Sequence, residues 1–349
     1  MPYALSDSQM RDQGPPIIYD NTMFGYGAAC WRRFYWFWRG LDYKIKPAYF
    51  ITGQAHQEAL DSWYSYGDAD RAHEAIDRVW EASSAIPQNN DTPATNHALL
   101  DYYIQAYPTE PFRVVILDQQ GKGRTTELGF QFPLAGTGGC FLGGAIDGYL
   151  DWGHYGLLVL ENKTTGTYIT DKYLNQWYFS FQVSQYYWAL TQMVEKVWGT
   201  LMNVASKKLK VAELEGAKDN APVPEGIFSR TLQSRSPAAM EQFVANCAYF
   251  IDEFKRQWDY WIWPMTRNPI ECVGGIGKSP CPYQALCKTE MLPWEIEDPI
   301  DITRGLLTYR EKPWLPWERG EPDIKLEAPE ELRGMKSLEE KVAYLRTKD

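Results

Sequence analysis

The alternation of apolar and polar residues separates a helical first part of the chain from a strand-rich centre. Helix-type spacing with polar cap residues predicts helices over about 23–40, 53–65, 69–84 and 94–107. Short runs of β-branched and aromatic residues between turn signals then predict strands over about 112–119, 125–134, 138–152 and 156–164. The last of these runs is continuously apolar at its start, which is typical of a buried strand.

The pattern returns to helix spacing after the fourth strand. It predicts a long helix over about 171–197, strands over 199–207 and 226–234, and a helix over 237–262 that ends before Pro264. The segments beyond it are rich in Pro, Gly and Trp and are expected to be mostly irregular. We therefore expect an α/β fold with a central sheet flanked by helices.

Composition narrows the class of protein. The 349 residues are 44% hydrophobic and 23% charged, as in a globular protein with a sizeable core. No run of about 18 apolar residues is present, and residues 1–16 lack the basic and apolar regions of a signal peptide. These features predict a cytoplasmic protein without membrane contact, whose six cysteines stay reduced.

The net charge of −10 argues against indiscriminate binding of polyanions, because nucleic-acid-binding proteins usually carry a basic surface. Basic residues are nevertheless clustered locally. The clusters are Arg32 and Arg33, Lys44 and Lys46, and Lys207, Lys208 and Lys210. Each cluster is equally compatible with an ordinary solvated face and with a contact to phosphate groups.

The most informative segment places Asp147 in the sequence GAIDG and Glu161 and Lys163 in the sequence VLENKTT. Glu161 and Lys163 are two residues apart in a predicted strand, so their side chains point to the same face. Buried carboxylates and ammonium groups need partners or a metal. Two carboxylates suit a hard divalent cation, and a lysine can stabilise charge that develops on a phosphoryl group. The alternative interpretation is a cross-strand salt bridge.

This arrangement resembles the RecB-like branch of the PD-(D/E)XK nucleases, which also have a histidine on an upstream helix and a Q-x-x-x-Y helix motif downstream. His56 in GQAHQ and the pair Gln182 and Tyr186 in QVSQY match those elements in order. Gly53 precedes His56 by three residues, one fewer than is usual in the family. The resemblance implies a restriction-endonuclease-like mixed sheet and a deoxyribonuclease that requires Mg²⁺ or Mn²⁺.

The same resemblance implies a role for each matched residue. His56, Asp147 and Glu161 would be metal ligands, with the backbone carbonyl of Asn162 as a fourth. Lys163 would be the catalytic lysine, and Gln182 and Tyr186 would position DNA or that lysine.

A second group consists of cysteines. Cys272, Cys281 and Cys287 lie within 16 residues, and Cys30 lies far upstream. Four thiolates hold either a tetrahedral zinc ion or an iron–sulfur cluster, and spacing alone does not separate the two. The set resembles the iron–sulfur exonucleases of the AddB and CRISPR-adaptation types, which implies a 4Fe–4S cluster. Cys272 and Cys281 are separated by eight residues, where that group commonly has two. Cys140 and Cys247 are expected to be buried reduced thiols.

These observations lead to one prediction of organisation and function. Residues 1–290 are expected to form a single nuclease domain, with an N-terminal helical segment, a helical insert at about 53–107, a catalytic core at about 110–235 and a C-terminal cysteine-bearing segment; 291–349 would be a Pro/Trp-rich extension. The expected activity is exonucleolytic cleavage of DNA, and the alternative is a catalytically inactive DNA-binding or scaffold module. DNA would be the partner, together with proteins of recombination, replication (including that of a phage) or CRISPR adaptation.

Overall fold

The structure is a computed structural model that describes residues 3–118, 124–153, 156–194, 196–217, 221–274 and 279–318. It is a mixed α/β protein, as the sequence predicts. Residues 319–349 of the predicted C-terminal extension lie outside the described residues. Within the described ranges, no helix combines the length and the apolar character needed to cross a bilayer.

The longer helices and strands lie where the sequence patterns predict them, and several short elements were not predicted. The predicted strands over 112–119 and 125–134 are each divided in two. The helices are α1 (Asp7–Gln13), α2 (Asn21–Ala29), α3 (Trp31–Trp38), α4 (Ala48–Tyr66), α5 (Ala69–Ala82), α6 (Pro93–Ala106), α7 (Asp171–Asn175), α8 (Phe181–Met193), α9 (Val211–Ala217), α10 (Pro237–Tyr260), α11 (Ile270–Val273), α12 (Gln284–Cys287) and α13 (Pro299–Ile302). The strands are β1 (Ile18–Tyr19), β2 (Leu41–Tyr43), β3 (Arg113–Val114), β4 (Leu117–Asp118), β5 (Arg124–Thr125), β6 (Leu128–Pro133), β7 (Phe141–Ile146), β8 (Gly148–Asp151), β9 (Leu157–Thr165), β10 (Val197–Ser206), β11 (Phe228–Gln233) and β12 (Leu307–Tyr309).

The chain divides into two compact units, each assembled from segments that are separate in sequence. The first unit comprises Met1–Ile45, Pro133–Gly143 and Glu241–Pro316, and the second comprises Lys46–Phe132, Gly144–Met240 and Trp317–Asp349. The first unit thus contains both cysteine-bearing segments, and the second contains all the predicted catalytic residues. The predicted division of the chain into a nuclease domain (1–290) and an extension (291–349) has different boundaries from these two units, and it stays a prediction.

The first unit has an aromatic core centred on Phe254 of α10. The ring of Phe254 is fully buried and lies 4.7 Å, between centroids, from Trp31 and from Phe34. Tyr19 contacts it from another side at 5.2 Å. A Cβ atom at Gly27 would come within 2.7 Å of the Phe254 ring, so only glycine allows α2 to approach so closely. The helices of this unit are therefore held together mainly by interlocking aromatic rings.

The single helix predicted over about 23–40 is two helices, α2 and α3. Cys30 separates them because its backbone is extended, with φ −171° and ψ 115°. It ends α2 and at the same time precedes the first residue of α3. The break could not be predicted from the apolar pattern, because this pattern continues across Cys30 and both helices contain buried aromatic residues.

The second unit is built on a five-stranded mixed sheet with the strand order β11-β10-β9-β8-β3. Strands β9 and β10 are parallel, and the other neighbours are antiparallel. The segment with α7 and α8 connects the two parallel strands, as such a crossover requires. The predicted strand over 138–152 is interrupted at Asp147, and the predicted helix over 171–197 is interrupted at Ser180, whose side chain caps α8 by accepting from the N–H of Val183.

Helices cover both faces of β9. On one face, Leu158 and Leu160 pack with Leu201 in an apolar cluster, and Gly53 of α4 lies against Thr164. On the other face, Val183 of α8 packs against Met202 and Val204 of β10. These two residues pair with Glu161 and Lys163 in the parallel register of β9 and β10. The strand therefore lies between α4 and α8, and consecutive residues of β9 face different helices.

We expect substitution of Phe254 by alanine to destabilise the protein by about 3–5 kcal/mol, because it removes a fully buried ring from a close-packed cluster. Denaturant unfolding of both proteins measures this difference. Phe179→Ala is the control, since Phe179 is 83% exposed and its loss is expected to change stability by less than about 0.5 kcal/mol. Equal midpoints for the Phe254→Ala variant and the parent would contradict the proposed core.

Candidate metal and catalytic site

Asp147 and Glu161 lie opposite each other across two neighbouring strands. Gly148 pairs with Leu160 in the antiparallel register of β8 and β9, and one step along this register places Asp147 across from Glu161. Asp147 is held there, because its Oδ2 accepts a hydrogen bond of 2.9 Å from the backbone N–H of Asn162. The interruption between β7 and β8 thus positions one carboxylate beside the other.

Glu161 and Lys163 are in contact on the face of β9 that α8 covers, where Glu161 is buried and Lys163 is partly exposed. The Glu161 side chain is 0% exposed, and the Nζ of Lys163 contacts its Oε1. Burial, and then the negative charge of Asp147, raises the pKa of Glu161 to about 8. Burial alone would lower the pKa of Lys163, but the charges of Glu161 and Asp147 outweigh it and raise that pKa. One positive charge therefore stands beside two carboxyl groups.

Two buried side-chain atoms in this region have no hydrogen-bond partner. They are Oε2 of Glu161 and Nδ1 of His56. An unsatisfied buried polar atom is costly, and native structures usually provide a partner, a water molecule or an ion. Carboxylate oxygens are the preferred ligands of hard divalent cations. The two neighbouring carboxyl groups of Asp147 and Glu161 thus fit a metal ion.

His56 lies on α4 and its ring is almost completely buried, with 2% exposure. Burial and the nearby positive charge of Lys207 lower its pKa to about 4, so the ring is neutral at physiological pH. Since α4 covers the face of β9 opposite to Glu161, His56 approaches the strand from the other side. The structure groups Asp147, Glu161 and Lys163 closely, and it places His56 on the adjoining helix.

The residue after His56 was not predicted from the sequence, yet it holds the site together. Gln57 donates from Nε2 to the backbone carbonyl of Asp147 at 3.5 Å and accepts from the side chain of Asn162 at 3.0 Å. The Asn162 side chain in turn accepts a 2.8 Å bond from Asn203 of β10. Gln57 therefore fixes the two backbone segments that carry Asp147 and Glu161. Its position four residues after Gly53, on the α4 face that meets β9, is the signal that could have identified it.

This polar chain continues away from β9 to an Arg–Glu pair. Arg230 of β11 donates to the side chain of Asn203 at 3.3 Å and to both carboxylate oxygens of Glu110 at 2.6 Å. It also donates to the hydroxyl of Tyr103 at 2.6 Å. Buried polar networks whose members all have hydrogen-bond partners are rigid. This network holds the Asn162 side chain through Asn203.

Gln182 and Tyr186 lie one turn apart on α8, as predicted. Gln182 donates from Nε2 to the hydroxyl of Tyr186 at 3.0 Å. The Tyr186 ring meets the edge of Phe130 on β6, and Phe130 also touches Gly144, three residues before Asp147. The pair is thereby anchored to the strand that leads to Asp147, and its predicted contact with DNA or Lys163 stays a prediction.

Four cysteines of the first unit line one cavity. It has a volume of about 210 Å³, and its lining includes Cys30, Cys272, Cys281 and Cys287 with Arg33 and Tyr283. The backbone N–H of Cys281 donates to the carbonyl of Cys272 at 3.0 Å, and this bond holds the two residues together. Residues 275–278, between them in sequence, lie outside the described residues. The four predicted thiol ligands thus converge, although Cys30 is more than 240 positions upstream of the nearest of the others.

The thiols influence one another electrostatically. The pKa of Cys287 is raised to about 11, mainly by burial; the charge of Arg32 opposes this rise, and the charges of the other three thiols contribute to it. Burial and the charge of Cys30 likewise raise the pKa of Cys272. Thiols that disfavour each other's ionisation in this way can be ionised together by a bound metal. Cys140 and Cys247 are buried elsewhere, as expected.

The stability of the metal-free protein is expected to fall as the pH rises from 6.5 to 8. In this interval Glu161 keeps its proton in the native state, where its pKa is about 8, and has lost it in the unfolded state, where the pKa is 4.5. Its contribution is complete below pH 4.5 and is lost through pH 8, with a slope of at most about 1.4 kcal/mol per pH unit. Below pH 6.5, protonation of unfolded His56 gives the opposite slope, which is why the upper interval is diagnostic.

Thermal unfolding in the presence of a chelator measures this effect. Glu161→Gln removes the titrating group without changing the side-chain size and is expected to flatten the profile between pH 6.5 and 8. The same slope in both proteins would show that Glu161 is not the group responsible.

Within the described parts of the chain, no group of three or more His, Cys, Asp or Glu side chains is arranged, as it stands, to hold a metal ion. The chain matches no protein-family model, and no curated protein matches its sequence. The site is accordingly interpreted from its own geometry: two adjacent carboxyl groups and a lysine on a sheet, and four thiols around a cavity.

Proposed function

We propose that this protein is a divalent-metal-dependent deoxyribonuclease that hydrolyses phosphodiester bonds, most simply from DNA ends. The observation that carries the proposal is the fully buried carboxyl group of Glu161, with Asp147 and Lys163 beside it. A carboxylate with 0% exposure beside a second carboxylate is unfavourable in an ordinary fold, and one lysine offsets only part of that cost. A cation shared by the two carboxylates would remove the repulsion between them.

Each residue of the site would have a distinct role in metal binding or catalysis. Asp147 and Glu161 would hold Mg²⁺ or Mn²⁺, with the Asn162 carbonyl as a further ligand. The ring of His56 lies toward the other face of β9, and its role as a ligand stays a prediction. When bound, such an ion polarises a phosphoryl oxygen and lowers the pKa of a water molecule. Lys163 would stabilise the negative charge that develops on the phosphoryl oxygens and orient the attacking water. Gln57 and Asn203 would keep Asp147 and Asn162 in place through the hydrogen bonds described above.

We further propose that Cys30, Cys272, Cys281 and Cys287 hold a structural 4Fe–4S cluster. The support is the convergence of four thiols on one cavity from two distant segments of the chain. Four thiolates are the usual ligands of such a cluster. Bound there, it would tie the segment around α2 and α3 to the segment around α11 and α12 within the first unit. A tetrahedral zinc ion is the alternative occupant of the same four thiols.

A catalytically inactive DNA-binding module is the competing function. The placement of Asp147 beside the buried carboxyl group of Glu161 favours an enzyme, because a site without catalysis would gain stability from replacing Glu161 with an apolar residue. A direct cleavage assay separates the two functions.

Lys163→Ala is expected to reduce cleavage of end-labelled DNA by at least roughly 10²-fold, because the variant loses the charge that faces the phosphoryl group. The assay uses single- and double-stranded substrates, each with Mg²⁺ and with Mn²⁺, and repeats each reaction with a chelator. Lys172→Ala, at an exposed lysine on α7, is the matched control and should cleave normally.

Circular dichroism of the two lysine variants should show that both are folded. Full activity in the Lys163→Ala variant would overturn the mechanism. Absence of cleavage by the parent protein with either metal and either substrate would favour the inactive module.

Anaerobically purified protein is expected to be brown and to contain about four iron atoms per chain, as a 4Fe–4S cluster requires. Cys281→Ser should lose the visible absorbance, whereas Cys247→Ser should keep it, because Cys247 is fully buried apart from the cavity. Colourless protein that contains one zinc per chain would identify the alternative, and protein with neither metal would contradict a metal-binding role for the four thiols.

A further inference from the structure

A second cluster of titratable side chains joins α5 and α6, and the proposed nuclease mechanism makes no use of it. His73 and Asp77 lie one turn apart on α5, and His97 and Asp101 lie one turn apart on α6. The Nδ1 atoms of the two histidines are 2.7 Å apart, the ring centroids are 5.0 Å apart and the ring planes differ by 27°, so the rings meet edge to edge at their Nδ1 atoms. We refer to these four residues as the histidine pair with its two aspartates.

The aspartates contact the opposite edges of the two rings. The Nε2 of His73 is 2.9 Å from Asp101, and the Nε2 of His97 is 2.9 Å from Asp77. An ionised carboxylate only accepts hydrogen bonds, so each Nε2 must carry a hydrogen. In a neutral imidazole the other nitrogen is then a lone-pair acceptor. Both Nδ1 lone pairs therefore point at the same small space.

Two lone pairs at 2.7 Å cannot bond to each other. The contact requires an electron-pair acceptor between them, which is either one shared proton or a metal ion. A carboxylate behind each imidazole is the arrangement that metal-ligating histidines commonly have, because it fixes the tautomer and makes the free nitrogen a better ligand.

We propose that His73 and His97 form a binding site for one borderline divalent transition-metal ion such as Zn²⁺, bound through both Nδ1 atoms. Imidazole nitrogen suits such ions, whereas Mg²⁺ and Ca²⁺ prefer oxygen. The zinc ion takes the place of the shared proton, which is released to the solvent. Zinc–nitrogen bonds of about 2.0–2.1 Å at a tetrahedral angle place the two nitrogens about 3.3 Å apart. The rings thus need to separate by less than about 1 Å.

The surroundings allow this change. The His73 and His97 side chains are 27% and 23% exposed, so an ion has access to them and the rings have room to move. No third His, Cys, Asp or Glu side chain in the described ranges completes the site, and water fills the remaining positions. This makes it an exchangeable site rather than a closed structural one.

Zinc at this position would link α5 to α6. Both helices contribute to the apolar cluster that also contains Ala55 and Ala59 of α4, the helix of His56 and Gln57. A bound ion would therefore stabilise the helical layer that supports one face of β9. The inference does not depend on the proposed nuclease activity.

The chain has only four histidines, so selective ¹⁵N labelling of histidine gives a simple spectrum. The experiment titrates the full chain with ZnCl₂ at pH 8 and follows the imidazole nitrogens, with His73→Gln and His97→Gln variants used for assignment. The Nδ1 signals of His73 and His97 are expected to shift together to metal-bound positions and to saturate at one ion per pair. Zinc bound by the cysteine thiols does not interfere, because the signals report on each ring separately.

Asp77→Asn and Asp101→Asn are the second test. Each should weaken zinc binding at the pair by roughly 10–100-fold while the histidine signals of the folded protein remain. Asp70→Asn, at an exposed aspartate of α5, is the matched control and should leave the response of the pair unchanged. Nδ1 signals that keep the signature of one shared proton at saturating zinc would overturn the proposal, as would an unchanged affinity in both aspartate variants.

Discussion

The proposed activity depends on one unfavourable interaction, the burial of the Glu161 carboxyl group next to Asp147. Its side chain is 0% exposed and its pKa is raised to about 8. Lys163 offsets part of this cost, yet Oε2 of Glu161 still accepts no hydrogen bond. Such an arrangement is typical of functional sites, where groups are kept in strained electrostatic surroundings for a chemical purpose. A divalent cation is the simplest group that would make the arrangement favourable.

The rest of the second unit can be understood as a support for that interaction. The interruption between β7 and β8 places Asp147 at the end of a strand, and the register with β9 brings it opposite Glu161. On the other face of β9, Gln57 and Asn203 hold the Asn162 side chain by hydrogen bonds. The carboxyl groups thus lie on rigid backbone rather than on a loop, which is what precise metal binding needs.

Much of this could be predicted from the sequence, for definite physical reasons. The continuous apolar run before Glu161 predicted a buried strand, and the alternation of faces placed Glu161 and Lys163 on one side. The convergence of the four cysteines was predicted by resemblance alone, since no local pattern links Cys30 to residues far downstream. The break at Cys30 and the break at Ser180 were missed, because apolar patterning continues across both. Breaks of this kind depend on caps and packing that a single sequence shows only weakly.

Side-chain partners across elements were the least predictable part. The role of Gln57 depends on how α4 meets β9, and the histidine pair depends on how α5 meets α6. In the second case a signal did exist, because the spacing H-x-x-x-D occurs twice, once on each helix. The spacing places each histidine and aspartate on one helical face, but only tertiary structure shows that the partners are exchanged between helices.

The position of a bound cation tests the account most directly. Crystals of the protein grown with Mn²⁺ would be measured near the manganese absorption edge, so that anomalous scattering locates the ion. We expect a peak about 2.1 Å from carboxylate oxygens of both Asp147 and Glu161. If crystals grown at saturating Mn²⁺ show no peak between these two residues, or a peak only elsewhere, Asp147 and Glu161 do not hold the ion.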